Sequence, residues 1–328
     1  MSNILRPDSR IFVAGHRGLA GSAIVRRLRA LGHTNLLLRT HKELDLLDAV
    51  AVDWFFQTER PEFVFLAAAK VGGILANRDF PADFIAENLR IQCNIIESAH
   101  RSQVSRLLFL GSSCIYPRLA PQPIHEDQLL AGPLEFTNRS YAVAKIAGIE
   151  MCWAYNRQHG TRYLAAMPTN LYGPGDNYDL ANSHVLPALI RKVHQAKQAG
   201  ATELVVWGTG TPLREFLYSD DMADACVFLL SLPEAEFKAI TSDAERPPLV
   251  NVGFGLDLSI GELAQTVCRV LQFPGRLTFD TTKPDGTPRK LMDSSRLFSL
   301  GWRPRVSLEE GIALAYADFL AREQAGTL

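Results

Sequence analysis

The pair Tyr141 and Lys145, in the run Tyr-Ala-Val-Ala-Lys, combines two side chains that can move a proton. On a helix, this spacing places the phenol and the ammonium on one face, one turn apart. A cation beside a phenol favours the phenolate, so we expect a lowered pKa and proton exchange by Tyr141 near neutral pH. The pattern by itself is equally typical of a half-buried tyrosine beside a surface lysine.

A second polar segment, Gly-Ser-Ser-Cys-Ile-Tyr-Pro at residues 111–117, follows an apolar run at 107–110. The run predicts a buried parallel strand, and open α/β sheets bind ligands beyond the carboxyl ends of such strands. Ser112 could hydrogen-bond a substrate carbonyl there. Cys114 lies two residues further on, and a cysteine taken alone is more often a small buried apolar residue.

A glycine-rich turn, Gly15-His16-Arg17-Gly18-Leu19-Ala20-Gly21, joins the first strand-like run to a helical stretch. Glycines at these positions allow a tight turn and a close approach of backbone N–H groups to a pyrophosphate, which the helix N-terminus also attracts. The position of the turn, between a strand and a helix, therefore predicts a dinucleotide-binding site.

The end of the second strand indicates which dinucleotide is preferred. It reads Arg39-Thr40-His41-Lys42, without the carboxylate that holds the ribose 2′-hydroxyl in NAD sites. Arg17 and Arg39, with His41 and Lys42, could instead neutralise a 2′-phosphate, because guanidinium groups match phosphate oxygens. The sequence therefore favours NADP(H), although each of these charges could also be a solvated surface group.

The elements that position these residues alternate along the chain. Apolar runs at 11–14, 36–38, 63–66 and 107–110 alternate with helical stretches such as 19–31 and 48–59. Alternation of this kind predicts βαβ units, and hence an α/β protein with a doubly wound parallel sheet, the Rossmann fold. After Pro168, connections rich in Gly, Pro and Asn indicate a smaller α/β C-terminal substrate domain.

We expect residues 1–170, completed by segments near 215–252, to form the dinucleotide-binding domain, and residues 171–214 and 253–328 to form the substrate-binding domain.

Composition narrows the choice of partners. The 328 residues have a formal net charge of −1 and no basic or acidic block, which argues against nucleic acid and membrane surfaces and favours small molecules. The five cysteines are widely spaced and contain no C-x-x-C pair, so we expect no disulfide frame, no metal and a reducing cytoplasm. The N-terminal residues resemble neither a signal peptide nor a membrane span.

Ser112, Tyr141 and Lys145, in this order after a glycine-rich first turn, resemble the extended short-chain dehydrogenase/reductases. Within them the similarity is greatest to the enzymes that epimerise and reduce GDP-linked 4-keto-6-deoxy sugars, and it covers nearly the whole chain. It is carried by the loop Ala14-Gly15-His16-Arg17-Gly18 and by the Gly-Ser-Ser-Cys-Ile-Tyr-Pro segment. Four further segments agree: Ala67-Ala68-Ala69-Lys70-Val71-Gly72-Gly73-Ile74, Met167-Pro168-Thr169-Asn170-Leu171-Tyr172-Gly173-Pro174, Asn182-Ser183-His184-Val185-Leu186-Pro187-Ala188-Leu189 and Lys283-Pro284-Asp285-Gly286-Thr287-Pro288-Arg289-Lys290-Leu291.

The resemblance implies a GDP-linked hexose substrate with a C4 ketone. In this family, Cys114 would be the base and His184 the acid that invert the carbons beside the ketone. Ser112 and Tyr141 would stabilise the enolate oxygen. Reduction by NADPH would follow, with Tyr141, supported by Lys145, protonating O4.

The resemblance also implies binding residues. Those expected to bind NADP(H) are Gly15, His16, Arg17, Gly18, Leu19, Ala20, Gly21, Arg39, His41, Leu110, Gly111, Ser112, Ser113, Tyr141, Lys145, Pro168, Thr169, Asn170, Leu171 and His184. Those expected to bind the nucleotide-sugar are Lys192, Trp207, Arg214 and Asp285. His41 departs from the family, which has arginine there, and a histidine is partly neutral at pH 7. A homodimer through helices around 82–100 and 141–158 is also expected.

Two other functions fit part of the pattern. A sugar-nucleotide 4-epimerase that retains NAD would use Tyr141 but would not need Cys114 or His184. A catalytically silent relative that senses NADPH would need no proton-transfer residues. A 4,6-dehydratase is disfavoured, because Ser113 and Cys114 stand where those enzymes carry an acidic pair.

Overall fold

The computed structural model describes residues 4–180, 182–283 and 285–328, apart from the side chains of residues 74 and 75. The elements before residue 173 are β1 (Ile11–Ala14), α1 (Leu19–Ala30), β2 (Leu36–Leu37), α2 (Ala49–Glu59), β3 (Phe63–Leu66), α3 (Ile74–Asp79), α4 (Pro81–Arg101), β4 (Arg106–Leu110), α5 (Arg139–His159), β5 (Tyr163–Pro168) and β6 (Asn170–Tyr172). Those that follow are α6 (Val185–Gln198), β7 (Glu203–Trp207), β8 (Leu213–Tyr218), α7 (Ser219–Ser231), α8 (Glu234–Thr241), β9 (Leu249–Val252), β10 (Asp257–Ser259), α9 (Ile260–Val270), β11 (Arg276–Asp280), β12 (Arg289–Lys290), α10 (Ser295–Ser299) and α11 (Leu308–Gln324).

A six-stranded parallel sheet has the strand order β2-β1-β3-β4-β5-β9. Strands β1, β3, β4, β5 and β9 are buried along their whole length, which explains why their sequences are apolar without alternation. Helices α1 and α7 cover one face, and α2, α4 and α5 cover the other. The predicted doubly wound sheet is confirmed, and its strands direct their carboxyl ends to one edge.

Local sequence sets the ends of the first two helices. Asp48 precedes α2 and accepts hydrogen bonds from the N–H groups of Val50 (2.9 Å) and Ala51 (3.1 Å) through Oδ1. Asp48 is therefore the N-cap, whereas the sequence had predicted it to be the first helical residue. Gly32 follows α1 with a φ of +84°, a left-handed conformation that glycine adopts without strain.

The described residues after 173 that do not pack on the six-stranded sheet form a smaller α/β layer, whereas β9, α7, α8 and α10 belong with that sheet. Strand β8 pairs with β6 and β12 in parallel and with β10 antiparallel, while β7 pairs in parallel with β11. Helices α6, α9 and α11 pack beside these strands around an apolar core separate from the two that cover the faces of the large sheet. No helix in the described part of the chain is both long and apolar enough to span a membrane.

Asp176, in the segment between β6 and α6, gives a test of this packing. It is only 6% exposed, and Oδ2 has no hydrogen-bond partner among the described residues. Burial raises the pKa of Asp176 from 3.8 to about 7. Between these values the folded state binds more protons than the unfolded state, so this group lowers stability as the pH rises from about 4 to about 7.

Asp176→Asn removes the buried charge. We expect its free energy of unfolding, relative to wild type, to rise by up to about 4 kcal/mol between pH 4.5 and pH 8. Urea unfolding at the two pH values measures this difference, with Asp8→Asn, an exposed aspartate, as the control. An identical difference for Asp176→Asn at both pH values would contradict the assignment.

Candidate active site

The glycine-rich turn between β1 and α1 leaves no room for a side chain at two of its glycines, Gly15 and Gly21. Gly15 has a φ of +83°, and a Cβ there would lie 2.7 Å from the backbone nitrogen of Ala68. A Cβ on Gly21 would lie 2.1 Å from the carbonyl oxygen of Gly15. The first turn of α1, which begins at Leu19, contains no acidic residue. This cradle fits a dinucleotide pyrophosphate, since backbone N–H groups and the helix dipole both favour an anion there.

A cleft of about 750 Å³ extends from this cradle along the carboxyl edge of the sheet. All the residues that the resemblance implies for NADP(H) line it. Lys42, Cys114 and the four predicted substrate residues are not among the lining residues. The cleft also contains residues to which the sequence assigned no role, namely Thr40, Leu44, Asp45, Leu46, Leu47, Ala67, Ala68, Ala69, Lys70, Val71, Glu87 and Ile91.

Two of the basic side chains predicted to bind the 2′-phosphate, Arg39 and His41, already lie beside carboxylates. The Arg39 guanidinium forms an ion pair with Glu59 and lies 5.5 Å from the ring centre of Phe55. His41 Nδ1 lies 3.6 Å from a carboxylate oxygen of Asp45. No ion pair involves Arg17 among the described residues, which leaves its guanidinium available for a phosphate.

Three side chains meet at the carboxyl end of β4. The Ser112 hydroxyl lies beside both the Cys114 thiol and the Tyr141 phenol and lowers the pKa of each, against the larger effect of burial. Ser112 precedes a 3-10 turn at Ser113–Ile115, which brings Cys114 back beside it, while α5 supplies Tyr141. The Ser112, Cys114 and Tyr141 side chains thus form one cluster, although they come from two separate segments.

Lys145 lies behind this cluster and is buried. Its ammonium donates a 2.8 Å hydrogen bond to the Leu110 carbonyl and lies 4.7 Å from the Phe109 ring centre and 5.8 Å from that of Tyr141. Burial lowers the pKa of Lys145 to about 8, with an opposing effect from Cys114. The lysine still carries its proton for most of the time at pH 7.

The expected lowering of the Tyr141 pKa is wrong for this structure. Burial raises the pKa of Tyr141, and the nearby Cys114 thiol adds to the increase when it is ionised. The Lys145 ammonium lies 5.8 Å from the ring centre and donates to a backbone carbonyl, so it does not overcome the loss of water around the phenol. Tyr141 is therefore a phenol that retains its proton.

Cys114 is 7% exposed, and burial raises the pKa of its thiol. The charge of Lys290 opposes this effect most strongly, followed by the Ser112 hydrogen bond and the charge of Lys145. Lys290 lies on β12, in register with Arg214 on β8. Lys290 belongs to the motif at 283–291, but the sequence predicted no role for it, because tertiary contacts of β12 with β8 and of the next residues with Ile124 bring it to Cys114.

His184 is the N-cap residue of α6, and its side chain lines the cleft. Its side chain makes no capping hydrogen bond to the first turn of the helix. Burial lowers the pKa of His184, so the imidazole is mainly neutral at pH 7. The ring can therefore face a ligand in the cleft.

Two of the predicted substrate residues lie together. The Trp207 side chain is 60% exposed at the end of β7, and the Lys192 ammonium of α6 lies 4.5 Å from its ring centre. Lys283 approaches the same ring at 5.6 Å. An exposed indole between two ammonium groups can accept a flat, anionic ligand by stacking and charge attraction.

The other two are held by neighbouring backbone. Asp285 accepts hydrogen bonds from the N–H (3.0 Å) and hydroxyl (2.7 Å) of Thr209, two residues beyond Trp207. The Arg214 guanidinium donates to the carbonyls of Leu213 (2.7 Å) and Thr287 (2.6 Å). Asp285 and Arg214 thus shape the rim from β7 to β8, and Arg214 joins it to Lys290 beside Cys114.

The fold and this site define a class of protein. A family model described as the NAD dependent epimerase/dehydratase family matches residues 11–246. The chain belongs to this family, as the cradle, the parallel sheet and the Ser112–Tyr141–Lys145 set had indicated.

Its relatives narrow the class further. GDP-L-fucose synthase 1 of Arabidopsis thaliana is 58% identical over 320 residues, which are 98% of this chain and 96% of the relative. GDP-L-fucose synthase of Escherichia coli strain K12 is 54% identical over 316 residues, or 96% of this chain and 97% of the relative. Among solved structures, a GDP-mannoheptose C4 reductase from Campylobacter jejuni with NADP bound is 39% identical, with a TM-score of 0.87 over 96% of this chain and 99% of its own.

The proximity of Lys290 to Cys114 can be tested by chemical modification. Lys290→Met removes a positive charge that stabilises the thiolate, so we expect Cys114 to ionise at a higher pH. Alkylation by iodoacetamide, followed peptide by peptide in a mass spectrometer, should become several-fold slower at pH 8. Lys283→Met, beside Trp207, is the matched control and should leave the pH profile of Cys114 unchanged. Equal profiles for wild type and Lys290→Met would contradict the assignment.

Proposed function

We propose that this chain catalyses the GDP-L-fucose synthase reaction. GDP-4-keto-6-deoxy-D-mannose is epimerised at C3 and C5, and its C4 ketone is then reduced with NADPH to give GDP-L-fucose. The observation that carries the proposal is the cluster of Ser112, Cys114 and Tyr141, which combines a carbonyl-binding pair with a thiol at the carboxyl end of β4.

Epimerisation beside a ketone requires that the ketone oxygen hold negative charge. Removal of a proton from C3 or C5 gives an enolate, whose charge lies mainly on O4. The hydroxyls of Ser112 and Tyr141 lie side by side, and each can donate its proton in a hydrogen bond to that oxygen. Because burial keeps Tyr141 protonated, it remains a donor throughout this step.

Inversion also requires two proton-transfer groups, since the proton leaves one face of the ring and a proton arrives on the other. We assign the base to Cys114, whose thiolate Lys290 and Lys145 stabilise, and the acid to His184. Cys114 belongs to the β4 segment and His184 to the start of α6, so they can act from different directions. Burial lowers the pKa of His184, so the imidazole needs a proton before it can donate one.

Reduction requires a proton on O4 and a reductant beside C4. NADPH, when bound, supplies the hydride. Tyr141 donates its proton to O4, and the ammonium of Lys145 stabilises the phenolate that remains. The Gly15–Gly21 cradle would hold the pyrophosphate, and Arg17 and His41, with support from Arg39, would bind the 2′-phosphate that distinguishes NADPH from NADH.

The GDP moiety would occupy the rim from β7 to β8. Trp207 offers a surface for the base, and Lys192 and Arg214 offer positive charge for the diphosphate. Asp285 shapes this subsite by holding the turn at Thr209. We further propose that residues 1–170 with 215–252 form the cofactor-binding domain, and 171–214 with 253–328 the substrate-binding domain.

The reaction is tested in heavy water with GDP-4-keto-6-deoxy-D-mannose and NADPH, by absorbance, mass and NMR. We expect NADPH to be consumed and deuterium to appear at C3 and C5. Cys114→Ala should lose deuterium incorporation by at least about a hundredfold, and Tyr141→Phe should lose NADPH oxidation to a similar degree. Cys268→Ala, a cysteine of similar burial on α9, is the control.

The alternatives predict different results. A 4-epimerase that retains NAD would consume no NADPH and leave C3 and C5 unlabelled, and a silent sensor would bind NADPH without turnover. A C4 reductase without epimerase activity would consume NADPH and leave both carbons unlabelled. Any of these results with the wild-type protein would overturn the proposal.

We also propose a homodimer in the cytoplasm. Half-buried small or apolar side chains lie along α4 (Ala86, Leu89, Cys93) and α5 (Ala147, Met151), and Cys93 Sγ lies 3.6 Å from Met151 Sδ, so the two sets adjoin. Exposed Val143 continues the surface on α5. The five cysteines are free, as a reducing compartment would keep them. A monomeric mass in light scattering at micromolar concentration would contradict the dimer.

A further inference from the structure

The position of His184 depends on its backbone, because its side chain makes no capping hydrogen bond. The residue lies at a junction, between a long connection from β6 and the first turn of α6. Anything that shifts the connection moves the imidazole directly. The contacts that hold residues 173–180, 182 and 183 therefore decide where His184 lies in the cleft.

Most of these contacts come from α11, far away in the sequence. The Gly175 N–H donates a 2.9 Å hydrogen bond to Asp318. The Arg322 guanidinium donates a 2.7 Å hydrogen bond to the carbonyl of Asp176 and lies 5.6 Å from the ring centre of Tyr178. Two consecutive residues of the connection are thus attached to one face of the C-terminal helix.

Tyr178 is held on three sides. Its hydroxyl donates a 2.9 Å hydrogen bond to the Ala315 carbonyl of α11, and its ring packs edge-on against Phe319 at 4.9 Å. Its own carbonyl accepts a 3.0 Å hydrogen bond from Arg191 of α6. The residue is only 3% exposed. Tyr178 therefore joins α11 to α6, the helix whose N-cap residue is His184.

A tight turn transmits this position to His184. The N–H groups of Asn182 (3.2 Å) and Ser183 (2.7 Å) both donate to the Asp179 carbonyl. The His184 carbonyl then accepts the N–H of Ala188 at 3.1 Å, which starts the helix. Asp179 directly follows Tyr178, so a short path joins the α11 contact to the imidazole.

We propose that α11 positions His184, and that Tyr178, which contacts α11, is the principal positioning residue for His184. This inference rests on the proposed role of His184 as the acid of epimerisation. Tyr178 touches neither substrate nor cofactor and acts through His184 alone. A displacement of about 1 Å at a proton-transfer group can cost as much as about a hundredfold in rate, so loss of one contact should be measurable.

The test compares two tyrosines of equal chemistry. Tyr178→Phe removes the hydroxyl contact with α11 but keeps the ring against Phe319. Tyr316→Phe removes a 2.9 Å hydrogen bond from α11 to His194, in the middle of α6, and is the matched control. We expect Tyr178→Phe to slow formation of epimerised product about tenfold, with NADPH affinity and substrate KM within twofold of wild type. We expect Tyr316→Phe to stay within twofold for all three quantities.

A double-variant cycle separates positioning from general loosening. If Tyr178 acts through His184, adding Tyr178→Phe to His184→Gln should cause no further loss. A further tenfold loss in the double variant, or an equal loss in Tyr316→Phe, would overturn the inference.

A second readout needs no turnover, so failure of the proposed function can be told apart from failure of this inference. In NMR with labelled histidine, the His184 imidazole signal is identified by its absence from His184→Gln. Tyr178→Phe should shift or broaden that signal, whereas Tyr316→Phe should affect His194 instead. An unchanged His184 signal in Tyr178→Phe would overturn the inference even if the epimerase/reductase reaction is confirmed.

Discussion

The active site depends on the placement of one hydroxyl. Ser112 stands at the carboxyl end of β4, the fourth strand in a sheet whose strands all point to the same edge. From there it lies beside a thiol in its own turn and a phenol on α5. Proton abstraction and carbonyl protonation can therefore take place around a single ketone. The smaller α/β layer needs only to deliver a nucleotide-sugar to it.

Burial sets the protonation of this cluster. Exclusion of water raises the pKa values of Cys114 and Tyr141 and lowers that of Lys145 to about 8. The cations Lys145 and Lys290 partly restore the thiolate, while Tyr141 keeps its proton. Burial thus keeps the phenol protonated as an acid, whereas the two cations favour the thiolate that serves as the base, and these are the two states that epimerisation and subsequent reduction require.

The sheet could be predicted because its signals are local. Uniformly apolar runs such as 11–14 and 63–66 became strands with those bounds, and the glycine-rich turn fell where it was expected. Contributions from distant segments could not be predicted in the same way. Lys290 reaches Cys114 through tertiary contacts of β12 with β8 and of the next residues with Ile124, and Asp45 enters the cleft through the loop after β2. The Tyr141 pKa was misjudged because helical spacing gives the direction of a lysine but not the extent of burial.

The central claim is that one hydroxyl serves both halves of the reaction, and Ser112→Ala tests it most directly. Deuterium incorporation at C3 and C5 and NADPH oxidation should be measured on the same sample of this variant in heavy water. The account predicts that both rates fall together, each by about a hundredfold, with NADPH affinity retained. A variant that lost one rate while keeping the other would contradict a shared oxygen-binding site at Ser112.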